Sequence, residues 1–247
     1  MKVLKTFLKA AFLLAAIAYL IFALTAINKP KEGQVCQGLD IHVVVPDSSL
    51  SSFVNENEVR ELLVSHKLFP EGRAMEKIDL AQLTSVLTSC PYIEDALCYV
   101  TADSRITMQV TPRVPVLHVI NTAGEDFYID RKGHIMPRGH HCADLIVMTG
   151  HVNRATAGAL YAPMGVALSK DTFWNRQIEE IHVTDAGELE ITPRVGDHII
   201  QLGDTSDLSG KLSRMRIFYT EGLNKAGWNR YKTINLKYNN QVIATRY

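Results

Sequence analysis

The sequence predicts an α+β protein with a single N-terminal transmembrane helix, a β-α-α-β-β unit, and then a β-rich domain with flanking helices. Three observations predict this fold class. An uncharged, almost wholly apolar run extends from Ala10 to Ile27. Strand and helix periodicities follow one another between residues 39 and 111. Beyond Pro115 the sequence changes to short strands separated by turn residues.

The apolar run at 10–27 predicts one transmembrane helix. About 20 residues, rising ~1.5 Å each, cross a ~30 Å hydrocarbon layer. Lysines before the run favour a cytoplasmic tail at 1–9 and a translocated domain. The alternative is a cleavable signal peptide, but its apolar region is usually about 7–15 residues long. The best candidate cut follows Ala26, which puts Leu24 at the −3 position, where leucine is unfavourable. We expect an uncleaved anchor, followed by a linker at 28–35.

The charge balance argues against nucleic-acid binding. The formal net charge is zero and the pI is near 7.1. A nucleic-acid-binding domain would carry a basic patch as its electrostatic footprint, so we expect no nucleic-acid partner.

The cysteines leave two interpretations open. In a translocated domain they could form disulfides, and four cysteines allow three complete pairings. As free thiols they would pack as small apolar side chains. The four residues are Cys36, Cys90, Cys98 and Cys142.

The first unit is predicted from period-2 and period-3.6 apolar patterns with capping residues between them. Pro91 ends its second helix, because proline cannot continue a helix. The predicted elements are a strand at 39–45, a helix capped by Asn55, a helix capped by Asp79, and strands at 92–101 and 105–111.

The second domain is predicted as strands and turns with two helices. Gly133 is available for a positive φ in its first hairpin turn, and the pair Asn239-Asn240 tolerates the left-handed conformation in its last. The predicted helices run from Asp171 to Glu180 and from Asp207 to near Gly222. The predicted strands are 116–120, 127–130, 134–136, 145–149, 189–192, 198–202, 233–238 and 241–246.

No residue set predicts a catalytic site or a cofactor. The sequence lacks the established nucleophile and phosphate-binding motifs in their expected context. A cluster of potential metal ligands, His134, His140, His141 and Cys142, fits no established zinc spacing. We therefore predict a loop beside the hairpin at 127–136, and no metal site.

The last hairpin, at 233–246, leaves two alternatives. If its final strand is uncovered, the backbone donors and acceptors form an open edge that can accept a partner strand. Otherwise the strand lies inside the sheet, or Lys237 and Arg246 protect it.

Four short motifs in a fixed order then point to a family. They are Arg113-Val114-Pro115 at the junction of the two units, the hairpin Phe127–Met136, the step Ile200–Gly203 before the helix at Asp207, and the segment Ile234–Asn240. In this order and spacing they resemble the bacterial cell-division family FtsQ/DivIB. The β-α-α-β-β unit resembles the POTRA domain of that family.

The resemblance implies a non-enzymatic scaffold of the divisome. It places residues 36–113 in a POTRA-like domain and residues 114–247 in an FtsQ-type β domain, in the periplasm and anchored in the inner membrane. The implied partners are FtsB and FtsL, small coiled-coil division proteins that add a strand at the last hairpin. Other division proteins would dock on the POTRA-like domain. The implied partner-binding residues are Tyr238, Asn240, Gln241, Val242, Ile243, Ala244, Thr245 and Arg246.

Arg246 departs from the tryptophan that some members of the family carry at this place. Arginine in place of tryptophan changes the side-chain contacts available to a partner. Strand addition itself depends mainly on an available backbone edge.

Two other function classes are weighed against the scaffold. A POTRA-containing translocation or assembly factor would be followed by many lipid-facing strands, whereas the second domain contains helices of soluble type. A membrane-anchored periplasmic enzyme would use a metal at His134, His140 and His141, and bound metal would favour it.

Overall fold

The computed structural model describes residues 11–20, 22, 33–45 and 52–247. Residues 11–20 are helical with exposed side chains. The rest of the predicted transmembrane run, apart from Phe22, lies outside the described residues, as do the predicted tail at 1–9 and most of the linker. Within the described ranges, no helix has both the length and the apolar character that crossing a membrane requires.

Among its described residues, the first unit is a three-stranded sheet covered by two helices, with the predicted β-α-α-β-β order. The sheet order is β1-β3-β2, with β1 parallel to β3 and β2 antiparallel to it. A short 3-10 helix at Met75–Lys77, which the sequence pattern did not predict, precedes the second helix. The main elements are β1 (Gly38–Val43), α1 (Glu56–Ser65), α2 (Leu80–Ser89), β2 (Ile93–Val100) and β3 (Arg105–Pro112).

Both predicted helix caps are confirmed. The Asn55 side chain accepts from the backbone N–H groups of Asn57 and Glu58, and the Glu58 carboxylate accepts from the Asn55 N–H, which completes a capping box. The Asp79 carboxylate caps α2 by accepting from the backbone N–H groups of Ala81 and Gln82. Because each cap satisfies orphan backbone donors, these helices begin where the sequence predicts.

The second unit is a nine-stranded mixed sheet of order β12-β11-β10-β9-β8-β7-β4-β5-β6 within the described part of the chain. Its strands are β4 (Pro115–Asn121), β5 (Asp126–Asp130), β6 (Ile135–Pro137), β7 (Val147–Gly150), β8 (Ile178–Val183), β9 (Leu189–Pro193), β10 (Ile199–Gly203), β11 (Tyr231–Asn235) and β12 (Ile243–Arg246). Its helices are α3 (Arg154–Lys170), α4 (Thr172–Gln177), α5 (Leu208–Ile217) with a π-helical extension at Phe218–Leu223, and α6 (Asn224–Ala226). A 3-10 turn at Trp228–Arg230 leads into β11.

Two helices of the second unit differ from the sequence prediction. Helix α3 was not predicted, because its Ala- and Gly-rich sequence has apolar residues around the helix and contains Pro163. The predicted helix after Asp171 ends earlier than expected, at Gln177, and Ile178 begins strand β8. Trp174 and Ile178 are both buried, so their spacing of four residues is equally compatible with a continuing helix.

The turn of the β5–β6 hairpin packs directly against α3. Gly133 has φ +85°, as its predicted role requires. A Cβ added at Gly158 would collide with the Gly133 carbonyl oxygen. Glycine at both positions therefore allows the two backbones to touch.

The same hairpin ties the two units together through the buried carboxylate of Asp130. This side chain is 0% exposed and accepts from the Arg113 guanidinium at 2.9 Å. It also accepts from the backbone N–H groups of Lys132 and His134 at 2.8 and 2.7 Å. Lys132 in turn lies 2.7 Å from Glu94 on β2. The hairpin is thus bonded both to the junction and to the first unit.

Removing the Asp130 carboxylate should destabilise the protein strongly. In Asp130→Ala the Arg113 charge and two backbone donors lose a buried partner, and we expect the free energy of unfolding to fall by about 3–5 kcal/mol. Urea denaturation of the purified chain measures this. Asp185→Ala, at a side chain that is 99% exposed, should change it by less than about 0.5 kcal/mol. Equal stability of the two variants would contradict the assigned role.

The larger domain contains a buried histidine whose surroundings predict a pH-dependent stability. His198 is 0% exposed, and its Nε2 lies 2.8 Å from the Tyr219 hydroxyl. Burial lowers the pKa of His198 below its ordinary value of 6.5, although the Trp228 backbone and Asp197 partly oppose this. Burial also raises the pKa of Tyr219. The folded state therefore holds His198 neutral.

We expect this domain to lose stability as the pH falls below about 6.5. There the unfolded chain binds a proton at His198 that the folded chain does not, with a slope of at most about 1.4 kcal/mol per pH unit. Urea denaturation at pH 7.5, 6.5 and 5.5 should show this, and His198→Gln should flatten it relative to His151→Gln, whose side chain is 65% exposed. An unchanged slope in His198→Gln would contradict the interpretation.

Candidate functional site

The candidate site is the edge of the nine-stranded sheet at β12. Strand β12 pairs antiparallel with β11, with Ile234 opposite Ala244 and Asn235 opposite Ile243. In the part of the chain that the structure describes, β11 is the only strand that pairs with β12. Of the two alternatives that the sequence left open, the strand therefore lies at the edge and not inside the sheet.

The predicted hairpin is present, but its predicted two-residue turn is wrong. Strand β11 ends at Asn235, and a seven-residue loop leads to Ile243. The reason is that the Leu236 backbone N–H donates to the Gln201 carbonyl on β10, and its side chain is buried. The chain consequently follows β10 before it turns, and Asn240 adopts the left-handed conformation with φ +61°.

The predicted partner-binding residues divide between the loop and the strand. In the loop, Tyr238 is 53% exposed, and Asn240 and Gln241 are also exposed. In and beside the strand, Val242 and Ala244 pack partly against the core. Ile243, Thr245 and Arg246 are exposed. This alternation is that of a strand with one face on the core and one face in solvent.

The solvent face beside β12 is a polar row that crosses five strands. Opposite residues in adjacent strands are Thr149, His182, Glu190, Gln201 and Asn235, and the row ends at Ile243. The Asn235 amide donates to the Gln201 side chain at 3.2 Å, and the Thr149 hydroxyl lies 2.8 Å from His182 Nδ1. A strand added beyond β12 would extend this row.

Lys237 does not protect the edge. Its ammonium group lies 2.6 Å from Glu188, before β9, and so points across the sheet toward the turn between β8 and β9. Arg246 lies on β12 itself and is exposed. Tyr247, which the sequence did not single out, donates its hydroxyl to the Asp197 carbonyl at 3.1 Å and holds the chain beyond β12 against the sheet.

The predicted cluster of potential metal ligands is divided by the structure. His134 bonds to Asp130, whereas the His140 and His141 rings lie 4.3 Å apart beside Glu58 of α1. Burial and the neighbouring His140 lower the pKa of His141. Glu58 was missed as a member of this group, and its only sequence signal was its position in the capping box.

All four cysteines lie in the described ranges and are free thiols. Cys36 and Cys98 are buried, which fits the interpretation of small apolar side chains, and Cys142 is exposed. Burial raises the pKa of the Cys98 thiol.

Comparison with known proteins now identifies both units. Residues 34–111 match the POTRA-like domain, and residues 114–245 match the family described as FtsQ/DivIB, C-terminal related. No curated protein matches the chain. The FtsQ/DivIB match covers more than half of the 247 residues. The chain therefore belongs to the FtsQ/DivIB family.

Proposed function

We propose that this protein is a non-enzymatic divisome scaffold that binds the coiled-coil division proteins FtsB and FtsL by strand addition at β12, and so links early and late division proteins. Membership in the FtsQ/DivIB family and the POTRA-like domain support a division-related scaffold. The observation that carries strand addition is the edge position of β12.

Strand addition at β12 has a backbone component. An edge strand presents N–H and C=O groups that its own sheet does not pair, and an incoming strand satisfies them. Successive residues of an antiparallel strand direct these groups to opposite sides. About half of the β12 backbone groups are therefore available to a partner, while the other half hold β12 on β11.

Side chains supply the selectivity. On the core side, small Ala244 leaves room beside the apolar cluster, so the partner strand should carry apolar residues at its core-facing positions. On the other side, Ile243 is 43% exposed at the end of the polar row. Tyr238 projects from the adjoining loop and offers an aromatic contact of the kind enriched in interfaces.

The POTRA-like domain is proposed as a second docking surface for other division proteins. Strand β2 lies at an edge of the three-stranded sheet, among the strands described. Its apolar side chains Leu97, Tyr99 and Val100 are 57%, 38% and 42% exposed. Exposed apolar side chains on an edge strand are typical of an interaction surface.

The apolar run at 10–27 is proposed as an uncleaved inner-membrane anchor that leaves residues 1–9 in the cytoplasm and both units in the periplasm. Its length and its basic flank support this placement.

Proline substitutions at adjacent positions separate binding from folding. Because neighbouring N–H groups point to opposite sides, one of Ala244→Pro and Thr245→Pro removes a donor to β11 and the other removes a donor to the open edge. We expect the edge variant to keep its melting temperature but to bind FtsB and FtsL about tenfold more weakly, as loss of one or more hydrogen bonds implies. Pull-down with the purified full chain in detergent measures this.

Ala244→Pro and Thr245→Pro serve as controls for each other. Only the variant that loses a bond to β11 should lose stability. A truncation before Gln241 should abolish binding while the POTRA-like domain stays folded. Normal binding by all three variants would exclude strand addition at β12.

Two measurements test the anchor: the intact mass of the mature protein, and its extraction from membranes. We expect the mature protein to retain residues 1–27, and deletion of 10–27 to release it from membranes at alkaline pH. Intact mass spectrometry distinguishes this from cleavage after Ala26. A mature chain that begins at Ile27 would identify a signal peptide instead.

A further inference from the structure

We propose that Glu58, His140 and His141 form a Zn²⁺ site that bridges helix α1 of the POTRA-like domain and the loop between β6 and β7 of the larger domain. One potential ligand atom from each residue lies within 4.8 Å of the other two. This site goes beyond the proposed scaffold function and does not depend on the edge at β12.

The Glu58 carboxylate is oriented by a hydrogen bond to one of its oxygens, which leaves the other oxygen directed at His140. Its Oε2 accepts the Asn55 backbone N–H at 2.8 Å in the capping box. Its Oε1 faces His140 Nε2 at 3.9 Å. A hydrogen bond on one carboxylate oxygen fixes the orientation of the other, which is the usual support for a monodentate metal ligand.

His141 is held by aromatic packing from the first unit. Its ring stacks on Phe53, with centroids 4.8 Å apart and an interplanar angle of 13°, and meets Tyr92 edge-on at 4.5 Å. The loop approaches so closely that a Cβ at Gly139 would lie 2.7 Å from the Tyr92 hydroxyl. Packing on two sides restricts the imidazole before any ion binds, which lowers the cost of ordering it.

His140 supplies the adjustment that closes the site. Its side chain is 85% exposed, so it can rotate without disturbing the core. Zinc bonds of about 2.0–2.2 Å in tetrahedral geometry place donor atoms roughly 3.3–3.6 Å apart. The 3.9 Å gap between His140 and Glu58 must therefore close by about half an ångström, and no pair of the three ligand atoms lies more than 4.8 Å apart before an ion binds.

The donor set favours zinc. Two imidazoles and one carboxylate are a common Zn²⁺ ligand set with a fourth position for water, and imidazole ligands also suit Cu²⁺ and Ni²⁺. The sequence predicted no metal site because Glu58 is distant along the chain, and only the fold brings it to the two histidines. Bound zinc would add a further link between the two units, beside the Phe53 contact.

The test is Zn²⁺ binding by the untagged full chain in detergent, measured by equilibrium dialysis and by melting temperature. We expect one Zn²⁺ per chain and a higher melting temperature with Zn²⁺. Glu58→Gln and His140→Ala should each weaken binding at least about tenfold. Glutamine can keep the capping box, so Glu58→Gln should melt as the unaltered chain does without zinc.

Two control variants exclude other ligands. His151→Ala, at an exposed histidine elsewhere, and Cys142→Ser, at the exposed thiol after the histidine pair, should bind zinc as the unaltered chain does. The proposal is overturned if the unaltered chain binds no zinc, if Glu58→Gln binds it equally well, or if Cys142→Ser loses it.

Discussion

The buried contact between Asp130 and Arg113 is the interaction on which the arrangement of the two units depends. A fully buried carboxylate is costly unless its oxygens are paired, and Asp130 is paired with one guanidinium and two backbone donors. Because Arg113 directly follows β3 and Asp130 ends β5, the pair fixes the junction to the β5–β6 hairpin. The backbone of Arg131 adds a bond to the Val114 carbonyl at 3.1 Å.

Once the hairpin is fixed, the loop that follows β6 is brought against the first unit. Phe53 then packs on Tyr128 and His141, with ring centroids 4.9 and 4.8 Å apart. These contacts join residues that precede α1 to residues of the larger domain. The POTRA-like domain and the β domain therefore share an aromatic interface, and the candidate ligands Glu58 and His140 meet at its margin.

The sequence predicted most of what local physics controls. The caps at Asn55 and Asp79 and the positive φ of Gly133 depend on neighbouring residues, and all three are confirmed. Helix α3 depends instead on tertiary contacts. Glycine is required at Gly158 because the Gly133 backbone packs directly against it, and that contact cannot be read from the neighbouring sequence. The last turn was predicted too short for a similar reason, because the Gln201 carbonyl holds Leu236 and delays the turn. The edge position of β12 was left open because strand order cannot be read from one strand.

The topology explains why the edge falls at β12. Strand β11 runs parallel to β10, so the chain must cross over between them, and α5 with its π-helical extension forms that crossover. The crossover places β11 outside β10, and an antiparallel hairpin from β11 can then add its second strand only on the outer side. At the other edge, β6 has three residues and ends in Pro137, which lacks a backbone donor. Of the two edge strands of the described sheet, β12 is therefore the longer one and the one without proline.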